Sequence, residues 1–242
     1  MLRSLNDLKM YNFVTADGAR GPIWDFYFDD RDWRLRYVVL DTGGWLPGRK
    51  VLIAPVSIGE LQSVERRVHV ALTRDQIESS PGIDMDKPVS RQMEAELAQY
   101  YAWPYYWGAR VRGGAAAAAA LTEDRTPDPE KGDSDLRSVR EVLGYRIEAR
   151  DGAVGHVEDF ILDDLGWMIR YTVVDTRNWL PGKKVLVAPC LIAAVSWNDS
   201  KVRVDLPREL VEASPEYDPS APVNREYEAR WYDYYGRPKY WT

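Results

Sequence analysis

The sequence carries one long motif twice. DTGGWLPGRKVLIAP at residues 41–55 returns as DTRNWLPGKKVLVAP at residues 175–189. The similarity extends beyond this motif on both sides. Residues 2–107 align with residues 136–241 without a gap, at a constant offset of 134 and with about 45 identical pairs. Self-similarity of this length indicates a tandem duplication of one structural unit. We therefore predict a first domain at 1–107, a linker at 108–135 and a second domain at 136–242.

The first two thirds of each repeat is typical of short β-strands. Apolar and polar side chains alternate along residues 23–29, which places Trp24, Phe26 and Phe28 on one face. Further strands are expected near residues 35–39, 51–54, 58–64 and 67–72. About six short antiparallel strands tend to close into a small barrel, because closure removes exposed sheet edges. The predicted fold class is mainly β, with two tandem barrels.

The last third of each repeat changes to a helical period. A capped turn is expected after Thr73, and an amphipathic helix at residues 90–101, with counterparts at 207–213 and 224–235. Each repeat then ends in an aromatic tail. The tail residues that could contact the other domain or a partner are Tyr100, Tyr101, Trp103, Tyr106, Trp107, Tyr234, Tyr235, Tyr240 and Trp241. Alternatively, each tail packs over a barrel, its own or that of the other repeat.

Composition restricts the class of protein. The formal net charge is −6, which argues against nucleic-acid binding through a broad basic surface. Cys190 is the single cysteine, so no intrachain disulfide can form. No apolar run has the length of a signal peptide or a membrane span. We predict a cytoplasmic protein without membrane insertion.

The sequence offers few groups for catalysis. His69 and His156 are the two histidines, and neither recurs in the other repeat. No phosphate-binding loop or Cys/His metal spacing is present, so we predict no catalytic residue, no cofactor and no metal site.

Duplicated acids are the weak exception. They are Asp25, Asp29 and Asp30, which recur as Asp159, Asp163 and Asp164, and the weak candidates for a metal site among them are Asp29, Asp30, Asp163 and Asp164. Asp pairs after a strand favour turns, because their side chains bond their own backbone. They could also hold a divalent cation or act as an acid/base pair in a hydrolase.

The shared loop is a candidate recognition site. Its candidate residues are Trp45, Arg49, Lys50, Trp179, Lys183 and Lys184. Tryptophan is a frequent anchor at protein interfaces, and the basic pair could meet an acidic partner. The alternative is architectural, with the indole packed over the end of a barrel and Pro-Gly forming a turn.

Taken together, these motifs resemble the PRC-barrel family. The resemblance rests on Asp-Gly, Asp-Phe with a later Asp-Asp, Arg-Tyr, and Asp-Thr followed by Trp-Leu-Pro-Gly, and it covers residues 4–72 and 138–206. The tail segments resemble those of stand-alone bacterial members. The resemblance implies small non-catalytic β-barrels that dock onto other macromolecules.

A binding or scaffolding role follows as the leading expectation. We predict a protein–protein adaptor; an RNA- or ribosome-associated factor and a hydrolase using the duplicated carboxylates are the alternatives. Because fused duplicates often descend from an isologous pair, we expect the repeats to pack as a pseudo-two-fold pair. The chain would then be a monomer with an internal pseudo-dimer, or a homodimer.

Overall fold

A computed structural model describes residues 1–46, 48–82, 89–107, 135–176 and 183–241. Contacts divide the chain into two units. The N-terminal unit is Asp7–Arg140, and the C-terminal unit is Met1–Asn6 together with Glu141–Thr242. Both are mainly β, as the sequence predicts. All of the predicted linker except Asp135 lies outside the described residues.

Strands of the two repeats recur in the same order. In chain order they are β1 (Leu2–Ser4), β2 (Asn12–Val14), β3 (Arg20–Asp29), β4 (Arg34–Asp41), β5 (Lys50–Ile53), β6 (Ile58–Gln62), β7 (Arg67–Val70), β8 (Leu136–Ser138), β9 (Arg146–Ala149), β10 (Gly152–Asp163), β11 (Met168–Asp175), β12 (Lys184–Val187), β13 (Ile192–Ser196) and β14 (Lys201–Val204). Helices are α1 (Leu5–Leu8), α2 (Arg74–Glu78), α3 (Arg91–Tyr101), α4 (Val139–Val142), α5 (Arg208–Glu212) and α6 (Arg225–Tyr235). Short 3₁₀ turns lie at Pro55–Ser57 and Pro189–Leu191.

Strand pairing is the same in both units. In the N-terminal unit, β5, β4, β3, β2, β7 and β6 are neighbours in that order, and only the β2–β7 pair is parallel. In the C-terminal unit, β12, β11, β10, β9, β14 and β13 follow the same scheme, with β9–β14 parallel. Among the described strands no pairing joins β5 to β6 or β12 to β13. Closure into a barrel therefore stays a prediction.

One short strand in each unit comes from the repeat that builds most of the other unit. Strand β8 pairs antiparallel with β3 in the N-terminal unit, and β1 pairs antiparallel with β10 in the C-terminal unit. The units thus depart from the predicted boundaries 1–107 and 136–242 at these segments. Repeat alignment cannot show this, because it reports which residues correspond and not which unit they join.

The long strand β3 is buried on both faces over its second half. Phe26, Tyr27 and Phe28 are buried. Trp24, which the alternation places on the same face as Phe26 and Phe28, is 36% exposed. The register of the β3–β4 pair shifts between Ile23 and Asp25, and such a bulge changes which side chains share a face.

The predicted main helices are confirmed, and their caps explain where they begin. The Ser90 Oγ accepts a hydrogen bond from the backbone N–H of Met93 at 3.2 Å, at the start of α3. The Asn224 side chain does the same for Tyr227 at 2.8 Å, at the start of α6. A side-chain cap satisfies a backbone donor that the first helical turn leaves unpaired.

Candidate functional site

Arginine holds the acids at the end of each long strand. In the N-terminal unit, Asp30 accepts a hydrogen bond from Nε of Arg137 on β8 at 2.9 Å. In the C-terminal unit, Asp164 accepts one from Nε of Arg3 on β1 at 2.6 Å. Two of the four acids considered as metal ligands thus bind the added strand.

The preceding acids close turns. Asp29 Oδ1 accepts the backbone N–H of Arg31 at 3.0 Å, and Asp163 Oδ1 accepts that of Leu165 at 3.3 Å. Asp163 also pairs with Arg170 at 2.8 Å. These are the local side-chain-to-backbone bonds of the turn interpretation. Within the described ranges, no three His, Cys, Asp or Glu side chains are grouped as metal ligands would be.

A buried carboxylate faces the added strand of the N-terminal unit. Asp25 is 2% exposed, and it accepts hydrogen bonds from Ser138 Oγ at 2.5 Å and from the backbone N–H of Arg140 at 3.1 Å. The ammonium group of Lys9 lies 3.9 Å away. Burial raises the pKa of Asp25, and the hydrogen bond from Ser138 opposes that rise. The Asp25 side chain therefore binds the chain at the point where β8 ends and α4 begins.

The C-terminal unit repeats the arrangement. Asp159 accepts hydrogen bonds from Ser4 Oγ at 2.5 Å and from the backbone N–H of Asn6 at 3.0 Å. We call Asp25 with Asp30, and Asp159 with Asp164, the two strand-receiving sites. Hydrogen bonds to ionised or buried carboxylates are among the stronger ones in proteins, so these acids have a structural task.

The first copy of the Trp-Leu-Pro-Gly loop is bonded to its own unit. The half-buried indole of Trp45 donates its N–H to the backbone oxygen of Arg20 at 3.1 Å. Arg49 donates to the backbone oxygen of Glu78 at 2.6 Å and to Ser80 Oγ at 3.1 Å. These contacts support the architectural interpretation of the loop.

Lys50 also has a partner in its unit. Its ammonium group lies 3.9 Å from the centre of the Trp24 ring, and the guanidinium of Arg140 lies 4.1 Å from the same ring. Cations stacked on a partly exposed indole add a modest attraction. Two cations therefore stack against the partly exposed Trp24.

The second copy of the loop is described only at its end. Lys183 donates to the backbone oxygen of Glu212, and Lys184 pairs with Glu158 at 2.6 Å. Trp179 lies outside the described residues. The described basic residues of both loops therefore have partners within their own units, and the candidate recognition role of the loops stays a prediction.

The aromatic tail of the N-terminal unit closes over a buried glutamate. Tyr37 and Tyr106 donate their hydroxyls to Glu94 Oε2 at 3.1 and 2.5 Å. Arg91 lies 2.9 Å from Glu94 Oε1 and stacks over the Trp107 ring at 4.8 Å. Burial raises the pKa of Glu94 and, together with its charge, those of Tyr37 and Tyr106.

The C-terminal unit builds the same cluster. Tyr171 and Tyr240 each donate to Glu228 Oε1 at 2.9 Å. Arg225 lies 2.9 Å from Glu228 Oε2 and 4.1 Å from the Trp241 ring centre. The tail residues Tyr106, Tyr240, Trp107 and Trp241 thus contact their own units. A further role of these rings in contacts with a partner stays a prediction.

The tyrosines that end the two long helices also bond their own units. Tyr100 donates its hydroxyl to the backbone oxygen of Gln76 at 2.9 Å, and Tyr234 donates to that of Leu210 at 2.8 Å. These bonds attach α3 to α2 and α6 to α5.

Glu94→Gln is expected to remove a pH dependence of stability. Burial raises the pKa of Glu94 above its ordinary value of 4.5, so between the two values the folded state holds more protons than the unfolded state. The free energy of unfolding therefore falls as pH rises through this range in the wild type, and less so in the variant. Urea unfolding at a series of pH values from acidic to neutral measures this pH dependence of the free energy of unfolding. Glu96→Gln, on the exposed face of the same helix, is the control, and an unchanged slope in Glu94→Gln would contradict the prediction.

The N-terminal unit packs an indole against this cluster. Trp103 lies 6.4 Å from Tyr37 and 4.3 Å from Tyr101, between ring centres. Its N–H donates to Ser57 Oγ at 2.8 Å. This tail residue is buried and fills the space under the end of α3.

The C-terminal unit supplies the indole from another position. Trp231 lies 5.3 Å from Tyr171 and 4.6 Å from Tyr235, the counterparts of the tyrosines around Trp103. In the sequence, however, Trp231 corresponds to Leu97, and Trp103 corresponds to Arg237. Each unit thus keeps one indole beside the same tyrosines while its place in the chain changes.

A surface groove of about 500 Å³ lies beside the Trp45 loop. Its lining includes Arg20, Arg67, Asn12, Glu65 and Gly44. Among the described residues, no acidic side chain pairs with either arginine. We call this feature the Arg20–Arg67 groove. Two arginines and one glutamate among the residues that line the groove give it an excess of positive charge.

The equivalent place in the C-terminal unit is neutralised. Lys201, the counterpart of Arg67, pairs with Glu148 at 3.0 Å. The counterpart of Glu148 is Val14, which cannot neutralise a cation. Arg67 therefore lacks the acid that its counterpart has. Sequence reasoning did not identify the groove, although a comparison of charges between the repeats could have found it.

The described helices include none with both the length and the apolar character needed to cross a membrane.

Comparison with known proteins finds a similarity over part of the chain. No family model matches the chain. Over 97 residues the chain is 32% identical to an uncharacterized protein of Deinococcus radiodurans, and the match covers 37% of this chain and 34% of that protein. The chain therefore spans about a third of the length of this relative.

Proposed function

We propose that this chain is a non-enzymatic binding protein, a protein–protein adaptor, which holds an acidic segment of its partner in the Arg20–Arg67 groove. The observation that carries the proposal is that two arginines, Arg20 and Arg67, line one concavity, and neither has an acidic partner among the described residues. Arginine binds carboxylates through paired donors, and complementary charge gives an interface its specificity.

The neighbouring loop supports the proposal. The bond from the Trp45 indole to the backbone of Arg20 holds one wall of the groove in place. Gly44 lines the groove, and a Cβ on it would meet nothing within 4 Å, so there is open space beside the loop. A preformed site loses less conformational entropy on binding. The loop then acts as a support, and Arg20 and Arg67 make the contact.

The duplicated carboxylates favour the adaptor over the hydrolase alternative. Asp30 and Asp164 bind arginine, and Asp25 and Asp159 bind serine and backbone donors. An acid/base pair requires carboxylates that face a substrate, whereas these face a strand of the protein. We propose no catalytic residue for this chain.

We further propose that each unit is a PRC-barrel-like domain and that the two arose by tandem duplication. Support comes from the identical strand order and the single parallel pair in each unit. Packing as a pseudo-two-fold pair and a cytoplasmic location stay predictions.

Fluorescence anisotropy with a labelled peptide tests the adaptor proposal. The probe is a short peptide in which glutamate alternates with serine, and the control is the same peptide with glutamine in place of glutamate. We expect the glutamate peptide alone to bind, and Arg67→Glu to weaken binding about tenfold or more, since like charges placed together cost several kcal/mol. Lys201→Gln, at the matched position of the other unit, should bind as the wild type does.

Two outcomes would overturn the proposal. One is equal binding of the two peptides, or of the wild type and Arg67→Glu. The other is binding of a single-stranded RNA oligonucleotide that is lost in Arg67→Glu, without binding of the glutamate peptide. Steep salt dependence would then assign the groove to the RNA-associated alternative.

A further inference from the structure

We propose that the two strand-receiving sites recognise a Leu-Arg-Ser segment by its sequence, and that they accept this segment from a second copy of the chain. The inference is independent of the Arg20–Arg67 groove. It begins from the identity of the two added strands, which are Leu2–Ser4 and Leu136–Ser138.

The two sites bind their segments in the same register. Ser138 lies opposite Tyr27 and Arg137 opposite Phe28 in the N-terminal unit. In the C-terminal unit, Ser4 lies opposite Ile161 and Arg3 opposite Leu162, the counterparts of Tyr27 and Phe28. Backbone pairing therefore places the three side chains of each segment identically. Added strands gain affinity from main-chain bonds and specificity from side chains.

Two of the three side chains of the segment, the arginine and the serine, each meet a specific group. The arginine meets a carboxylate, at 2.9 Å from Asp30 or 2.6 Å from Asp164. The serine hydroxyl meets a second carboxylate, at 2.5 Å from Asp25 or Asp159. A reversed charge would leave a half-buried acid unpaired, and a lost hydroxyl would leave a buried acid with one hydrogen bond fewer, and both are costly.

The residue after the serine completes the pattern. It is Leu5 in one segment and Val139 in the other, and both are fully buried. The sequence preferred by the sites is therefore Leu-Arg-Ser followed by an aliphatic residue. Both repeats carry it, and both sites present the same acids to the arginine and the serine of the segment.

Covalent connection along the chain decides which Leu-Arg-Ser segment occupies a site. A segment on the same chain has a high effective concentration at the site, whereas a segment on another copy must compete at the concentration of the protein. Exchange of identical elements between copies is a known route to dimers when the contacts are equivalent. A second copy should thus occupy the sites once the internal segment is disfavoured.

A charge-reversal experiment on the full chain tests this. The donor-reversed chain carries Arg3→Asp and Arg137→Asp, and the receiver-reversed chain carries Asp30→Arg and Asp164→Arg. Within either chain like charges now face each other at both sites. Between the two chains every pair is again opposite in sign. We expect a one-to-one heterodimer by light scattering after mixing, and no such dimer in either chain alone.

A control chain carries all four substitutions. It restores opposite charges internally, so it should have the mass and the unfolding midpoint of the wild type. As a second measurement, the donor-reversed chain is titrated with a synthetic peptide of residues 1–8, and binding should weaken at least tenfold in the same peptide with Arg3→Asp. If the mixed chains do not dimerise and the natural peptide does not bind better than its variant, the proposal is wrong, whatever the state of the control chain.

Discussion

Gly155→Ala is expected to lower the free energy of unfolding of the C-terminal unit by about 3 kcal/mol or more, the upper range for overpacked positions. A Cβ on this residue would lie 2.0 Å from the backbone oxygen of Asp175 and 2.9 Å from its carbonyl carbon. No side-chain rotation can relieve a clash with the main chain, so β10 must move away from β11. A lower urea midpoint of the unit measures the effect.

The N-terminal unit offers the same test at Gly21, where a Cβ would lie 2.3 Å from the backbone oxygen of Asp41. Gly82→Ala is the control, because its Cβ would meet nothing within 4 Å. Equal urea midpoints of the N-terminal unit for Gly21→Ala and Gly82→Ala would show that the strands separate at little cost.

Local features of the sequence predicted the helices correctly. Ser90 and Asn224 mark the beginning of α3 and α6, because a capping side chain acts within one turn. Strand positions in the first two thirds were also predictable, since β-branched and aromatic residues alternate there. These signals act over a few residues, and the sequence contains them completely.

Other features depend on contacts between distant residues. The three-residue strands β1 and β8 have no periodicity of their own, and their partners lie more than a hundred residues away. Sequence reasoning found the duplicated acids and their turns but not their strand-receiving role. The repeated Leu-Arg-Ser next to repeated acids was the available signal. Trp24 is exposed although Phe26 and Phe28 are buried, because a bulge interrupts the strand beside it, and no local pattern predicts a bulge.

The basic residues show the same limit at the candidate site. The sequence predicts that Arg49 and Lys50 could bind an acidic partner. In the fold, however, Arg49 bonds the end of α2 and Lys50 stacks on the Trp24 indole. Arg67 begins strand β7, and no sequence motif marks it as a candidate site residue. Whether a charge is free depends on its neighbours in space, and those are set by the strand order.

Trp231→Leu is the second substitution with a large expected effect. The indole is fully buried, and its N–H donates to the backbone oxygen of Leu186 at 2.9 Å. Shortening the side chain leaves a cavity beside Tyr171 and an unpaired carbonyl lone pair. We expect the free energy of unfolding of the C-terminal unit to fall by roughly 2 kcal/mol or more, as in other large-to-small core substitutions. Trp24→Ala, at a partly exposed indole, should cost less than half of that.

The other repeat suggests a second substitution that would restore the stability lost in Trp231→Leu. It has Leu97 at the position of Trp231, and its indole comes from Trp103, the counterpart of Arg237. Adding Arg237→Trp to Trp231→Leu should therefore return an indole to the same tyrosines and recover about 1 kcal/mol or more, within the range of coupled neighbouring sites. Arg237→Trp alone should gain nothing, because Trp231 already fills the space. If the two changes are simply additive in urea unfolding, the indoles of the two units are not interchangeable, and each core is packed in its own way.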